Sequence, residues 1–308
     1  MIDIDTFLTI LYVMVDDFCK SHLPVERRPG PPASLSRSEV VTLGIFSQWS
    51  RFRSQRDFYR YAERHLRSAF PTLPNRSQFN RLLRQYRQDI VAFFLYLIQE
   101  LRARYCAYEV LDTSAVPVRD AKRRGSGWLA GYVDIGLSKR LGWYEGFRLL
   151  VAINPQGVIT GFGFGPASTK DQPLAETFLN LRAHPDPRLL SVGAPALGPY
   201  VTDKGFEGMD DHGQWLLPAG VSIIHAPRRN SRHPWPKKLR RWLAGIRQII
   251  ETVYDKLLNM FRLCCERPHA LDGFWASLAA KIALHNFCIW LNEQYGQPRL
   301  AFANLIDW

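Results

Sequence analysis

Tyr108-Glu109-Val110-Leu111-Asp112-Thr113-Ser114-Ala115-Val116-Pro117-Val118 is the first stretch of the chain with the composition of a β-strand. Its β-branched and small apolar residues suit a pleated, half-buried surface. Asp112 stands near its middle. An acid inside such a run costs free energy unless it is paired, bound to a cation or placed at an edge. The run also marks a change of pattern: residues before it read as helix, and residues after it alternate strand and helix.

Upstream, Asp5 to Lys20 carries Phe7, Leu8, Leu11, Tyr12, Val15 and Phe18 at helical spacing. Ser36 and Glu39 form a capping-box pattern ahead of Val40, Val41, Leu43, Ile45 and Phe46. A third helix is expected over Gln55 to Arg67, broken by Pro71 and Pro74. A fourth opens at Asn75 with Gln78 and runs to about Arg102. Pro29 to Pro32 reads as an internal linker.

Downstream, Trp143–Asn154 and Val158–Phe164 are expected to pair as a hairpin around Asn154-Pro155-Gln156-Gly157. Tyr200–Thr202 ends a buried strand before Asp203, and Val221–Ala226 is another. One helix is expected from Lys237 to about Phe261, and an apolar one from Phe274 to Leu291. The sequence thus predicts a helical domain over residues 1–104 and an α/β domain over 105–308. The element order of the second part is that of an RNase H-like domain.

The bulk composition narrows the function. The 308 residues are 46% hydrophobic, which supplies a core and excludes a disordered chain. A net charge of +12 and a pI near 9.7 favour polyanionic partners, nucleic acid first. No run of about 18 apolar residues appears, so no membrane span is expected. Cys19, Cys106, Cys264, Cys265 and Cys288 are odd in number and form no Cys-x-x-Cys pair. They fit a reducing cytosol and not a disulfide framework or zinc ribbon.

Three acids are candidates for catalysis. Two-metal phosphodiester chemistry needs carboxylates from different elements to converge on two hard cations about 3.5–4 Å apart. Magnesium accepts few protein ligands, so three carboxylates suffice. Asp112 lies in the strand-like run Tyr108–Val118. Asp203 follows a strand, where α/β sheets bind ligands. Glu251 lies on a helix beside the buried side marked by Ile249, Ile250, Val253, Leu257 and Leu258. Each has a plainer reading: a strand-edge Asp bonded to its own turn, an Asx-turn before Gly205, and an Arg247–Glu251–Asp255 surface ion-pair row.

With these residues in view, the chain resembles bacterial insertion-sequence transposases of the DDE type, closest to insertion-sequence family 982. The resemblance covers about residues 105–292. Its segments are Leu111-Asp112-Thr113-Ser114, Trp143-Tyr144-Glu145-Gly146-Phe147-Arg148, Lys170-Asp171, Thr202-Asp203-Lys204-Gly205-Phe206, Arg228-Arg229-Asn230, Arg247 through Tyr254, and Ala283-Leu284-His285-Asn286. It implies an RNase H-like core and Asp112, Asp203 and Glu251 as ligands of two Mg2+ ions, with Mn2+ able to substitute. It implies that Arg247 and a lysine after the Glu hold the DNA end, and that a homodimer acts on paired ends. The chain departs from the wider signature at Ala244, where a Tyr is expected, and at Leu258, where a Lys is expected. Lys256 is the nearest lysine. Only about residues 227–240 separate the last strand from the Glu helix, so the β-rich insertion of some relatives is absent.

Charge is concentrated where DNA contact is expected. Residues 51–87 hold ten arginines and two acids, and residues 227–247 hold eight Lys or Arg and no acid. Arginine forks bind phosphate, and such contacts supply most sequence-independent affinity. Arg76, Asn80, Arg84 and Arg87 fall on one side of the fourth helix, which suits a helix-turn-helix-like reader of terminal inverted repeats. Lys204, Arg228, Arg229 and Arg241 are further candidates beside the acids. Trp128, Trp143, Trp215, Trp235 and Trp242 could stack on bases, although packing is the commoner role of a Trp. His212, His225 and His233 lack zinc-ligand spacing. The expected activity is cleavage at transposon ends and strand transfer into target DNA, in the bacterial cytoplasm at the nucleoid. The competing readings are a catalytically silent, transposase-derived DNA-binding protein and a non-mobile metal-dependent nuclease.

Overall fold

The computed structural model describes residues 1–25, 33–119, 129–184, 186–193, 198–206, 221–227, 234–265 and 267–308. In chain order, the first elements are β1 (Ile2–Asp3), α1 (Ile4–His22), α2 (Arg37–Phe46), α3 (Gln55–His65), α4 (Arg76–Gln85) and α5 (Arg87–Glu100). Next come β2 (Glu109–Arg119), β3 (Asp134–Ser138), β4 (Gly142–Ile153), β5 (Ile159–Pro166), α6 (Asp171–Ala183), β6 (Tyr200–Val201) and β7 (Ile223–Ile224). The last are α7 (Lys237–Asp255), α8 (Leu271–Gln294) and β8 (Ile306–Asp307). The Pro29–Pro32 linker lies outside the described residues.

The chain forms two compact units. The first comprises Met1–Leu97, Asn259–Leu263 and Pro268–Trp308. Here the capping box is formed: Ser36 Oγ accepts from the Glu39 N–H, and Glu39 Oε2 accepts from the Ser36 N–H at 2.6 Å. Asn75 Oδ1 caps α4 by accepting from the Gln78 N–H at 2.9 Å. The single long helix expected from Asn75 to Arg102 is instead two. The backbone leaves helical geometry at Tyr86, and Arg87 Nη1 donates to the freed Arg84 carbonyl at 2.9 Å. The break lets Phe79, Leu82 and Leu83 on α4, and Ile90, Val91, Phe94 and Leu97 on α5, each bury their own face.

Helix α8 is apolar on every side because it lies inside this first unit: Phe274, Leu278, Ile282, Phe287 and Ile289 are all fully buried. It is the one described helix long and apolar enough to cross a membrane, and 83% of its apolar window is buried inside the protein. Sequence reading puts α8 in the second part of the chain; its contacts are with the first unit. Strands β1 and β8 pair in parallel at Ile2–Ile306, which the sequence pattern does not signal.

The second unit, Ile98–Leu258 with Cys264–Arg267, is mixed α/β. Its sheet runs β3-β4-β2-β6-β7, with β5 also on β4. Strand β4 is antiparallel to β2 along its length, and its other edge is shared by β3 and β5. Strand β6 joins β2 in parallel through Glu109–Tyr200, and β7 joins β6 in parallel. The β4–β5 hairpin forms where expected. Asn154 Oδ1 accepts from the Gln156 and Val158 N–H groups at 3.0 Å, and Gly157 has φ +83°. Strand β3, absent from the sequence-based reading, is short and largely exposed, so it lacks the alternating apolar signal.

Side chains of β2 divide between two helices. Leu111 packs with Leu150, Ala152 and the α6 residues Leu174, Ala175 and Phe178. The other face meets α7. Helix α7 continues without a break as a π-helical turn over Lys256–Met260, so the helical run ends close to the expected Phe261. The wider turn lets adjacent Leu257 and Leu258 both be buried.

Candidate active site

One buried ion pair fixes the strands that carry the two aspartates. Arg182 of α6 is fully enclosed. It donates to Glu109 Oε2 at the start of β2, to Tyr200 Oη on β6 at 2.8 Å, and to the Val192 carbonyl at 2.6 Å. Its guanidinium also lies over the Phe178 ring, 4.7 Å from the centroid. Gly161 must be glycine here, since a Cβ would collide with Arg182 Nη2 and with the Val192 carbonyl.

Asp112 projects beyond the short parallel pairing of β2 with β6, so it stands at the carboxyl edge of that half of the sheet. It is no edge residue, because it pairs with Val151 on β4 and its side chain is only 19% exposed. Its Oδ1 accepts from the Thr113 N–H at 2.8 Å, and Arg247 Nη2 lies 3.3 Å from its Oδ2. Burial pushes its carboxyl up to about 6. Arg247 opposes that shift, and the negative charges of Asp203 and Asp171 reinforce it.

Asp203 follows β6, and its Oδ1 accepts from the Gly205 N–H at 2.6 Å. The Asx-turn anticipated as its plainer reading is therefore present. The same turn brings it beside a further acid: a Cβ on Gly205 would sit 2.8 Å from Asp203 Oδ1 and 3.5 Å from Asp171 Oδ2.

Glu251 lies exposed on α7. Arg247, a turn earlier, pairs with Asp112. Tyr254, nearly a turn later, is buried and donates its hydroxyl to the Asp112 carbonyl at 2.7 Å, with the Leu149 carbonyl at 3.2 Å. Both neighbours of Glu251 on this helix face thus bind Asp112, one by its carboxylate and one by its backbone. Among the described residues, no three Asp, Glu, His or Cys side chains stand close enough to hold a metal ion by themselves.

Asp171, Arg148 and Tyr254 stand out in the sequence only as parts of a family pattern. Asp171 Oδ1 accepts from Thr113 Oγ1 at 2.5 Å and from Arg148 Nη1 at 2.6 Å. Position is their one sequence signal: a helix start, a residue on the strand that pairs with that of Asp112, and a helix residue in phase with Glu251.

The cationic candidates differ in their settings. Arg76 and Arg84 are exposed on α4, whereas Asn80 is half-buried. Arg87 is committed within its unit, to the Arg84 carbonyl and to Asp272 at 3.5 Å. In the second unit Lys204 and Arg241 are exposed, and Lys256 is half-buried where α7 becomes π-helical. Arg228, Arg229, Trp128, Trp215, His212 and His233 lie outside the described residues. Trp143 and Trp242 are 65% and 56% exposed, so packing does not account for either. No family model, curated protein or solved structure matches the chain.

Proposed function

We propose that the chain is a DDE-type DNA transposase on an RNase H-like catalytic fold, with Asp112, Asp203 and Glu251 as its catalytic carboxylates. The observation that carries this reading is the double grip of α7 on Asp112, through Arg247 and Tyr254 on either side of Glu251. In this reading, a helix held this way would carry Glu251 toward the strand acid. The strand order, antiparallel on one side of β2 and parallel on the other, supports the fold assignment.

The proposed cofactors are two divalent cations, Mg2+ or Mn2+. Asp112 is buried among like charges, a setting that a cation relieves. Asp112 and Asp203 would hold both ions and Glu251 would complete one of them. When bound, the ions supply the positive charge that activates the attacking oxygen and stabilises the leaving one. The protein's own residues do the rest. Arg247 partly offsets the charge of Asp112, and its buried Nε–H has no acceptor among the described residues. Lys204, Arg228, Arg229, Arg241 and Lys256 bind the backbone of the DNA end, and Arg76, Asn80 and Arg84 read the terminal repeat. The partner is double-stranded DNA, with a homodimer on paired ends at the nucleoid.

The test is Mg2+-dependent cleavage of a duplex carrying the repeats that flank the gene. Asp112→Ala, Asp203→Ala and Glu251→Ala should each abolish cleavage and spare end binding in a gel shift. Near-normal cleavage by any of them overturns the assignment. Binding by the wild type with no cleavage in Mg2+ or Mn2+ favours a silent DNA-binding protein.

A further inference from the structure

Asp171 joins three segments that surround the proposed catalytic acids. It accepts from Thr113 on β2, the residue whose N–H orients Asp112. It accepts from Arg148 on β4, whose side chain is 20% exposed. It also flanks Gly205 in the turn that holds Asp203. Both strand contacts use one oxygen, Oδ1, so the other faces the Asp203 turn.

We infer that Asp171 is a positioning residue for the two-aspartate site, setting Asp112 through Thr113 and buttressing the Asp203 turn through Gly205. This rests on the proposed function, since it assumes that Asp112 and Asp203 act together. The physical basis is direct. A hydroxyl held at 2.5 Å on one face of β2 fixes the backbone whose N–H, at 2.8 Å, orients the Asp112 carboxylate on the other face. Arg148 pairs with Asp171 and offsets part of its charge, so the carboxylate can stand beside two others at a reduced like-charge penalty. A Cβ at position 205 would press on Asp203 Oδ1 at 2.8 Å and stand in contact with Asp171 Oδ2 at 3.5 Å.

The test uses variants that separate the hydrogen bond from the fold. Thr113→Val keeps the shape and removes the hydroxyl, Thr113→Ser keeps the hydroxyl, and Asp171→Ala removes the acceptor. Calorimetry with Mn2+ alone and single-turnover cleavage of the repeat-bearing duplex are both measured. Thr113→Val and Asp171→Ala should lose about 10- to 100-fold in Mn2+ affinity and in the cleavage rate, as orienting partners of ligands do. DNA-end affinity should stay unchanged, and Thr113→Ser should behave as wild type. If Thr113→Val and Asp171→Ala bind Mn2+ and cleave normally while Asp112→Asn and Asp203→Asn do neither, the positioning role is overturned and the catalytic reading stands. If Asp112→Asn and Asp203→Asn leave Mn2+ binding and cleavage intact, both are overturned.

Discussion

The guanidinium of Arg247 lies 3.3 Å from the carboxylate of Asp112, across 135 residues of chain. This charge pair, far apart in sequence and close in space, ties α7 electrostatically to the sheet. It only partly offsets the cost of burying Asp112, whose carboxyl is held at about 6 against an ordinary value of 3.8.

That imbalance gives a stability prediction with a definite sign. Folded Asp112 holds its proton more tightly than the unfolded chain does, so protonation favours the folded state. The penalty is absent below the ordinary value, grows through the interval and is complete above about 6. A shift of this size corresponds to about 3 kcal/mol at most. Asp112→Asn should therefore raise Tm near neutral pH by roughly 2–6 °C. The gain should vanish near pH ~4. Thermal melts at the two pH values check it, and an equal gain at both would contradict it.

Tyr254→Phe keeps the buried ring and deletes the hydroxyl that meets the Asp112 carbonyl at 2.7 Å. The loss should be about 1–2 kcal/mol in urea unfolding. Cleavage should fall by more than stability explains, because Glu251 sits on the same turn. Unaltered single-turnover rates would show that the tie is structural only.

Breaking the buried Arg182–Glu109 pair should be far more costly. Arg182→Met leaves Glu109 charged and enclosed, for a loss of about 3–5 kcal/mol. The double variant with Glu109→Leu should recover much of that loss, because no charge is then stranded. Denaturant melts of the two variants distinguish this from simple loss of packing.

Exposed and committed arginines of the first unit should separate in their salt dependence. Arg76→Ala and Arg84→Ala should weaken DNA binding and each lower the slope of log affinity against log salt by about 1. Arg87→Ala should leave the slope nearly unchanged and reduce stability, because Arg87 serves the Arg84 carbonyl and Asp272.

Much of the fold was legible where physics is local. Ser36 with Glu39, Asn75 with Gln78, and Asn154 through Gly157 carry their hydrogen bonds within a few residues, so the sequence displays them. The succession of β2, β4, β5, β6 and β7 along the chain was legible through strand-like composition and turn residues. The break at Tyr86 was not, because it depends on which surfaces α4 and α5 must each bury. Strand β3 was missed because its exposed residues, Leu137 among them, do not alternate. Asp171 meets partners 58 and 23 residues away and Tyr254 partners 142 and 105 residues away, and no local pattern signals such meetings.

The split of β2 between its two helices has a consequence for how this gene can vary. Strand residues keep their side only by parity: Asp112 belongs to α7 and Thr113 to α6. Deleting one residue between Val110 and Asp112 would exchange odd for even and present each side chain to the wrong helix. Substitutions in the strand are graded in effect, whereas a single-codon deletion there is all-or-none. Length variation among functional copies should therefore collect in the turns, such as Lys139–Leu141, and spare the stretch from Glu109 to Ser114.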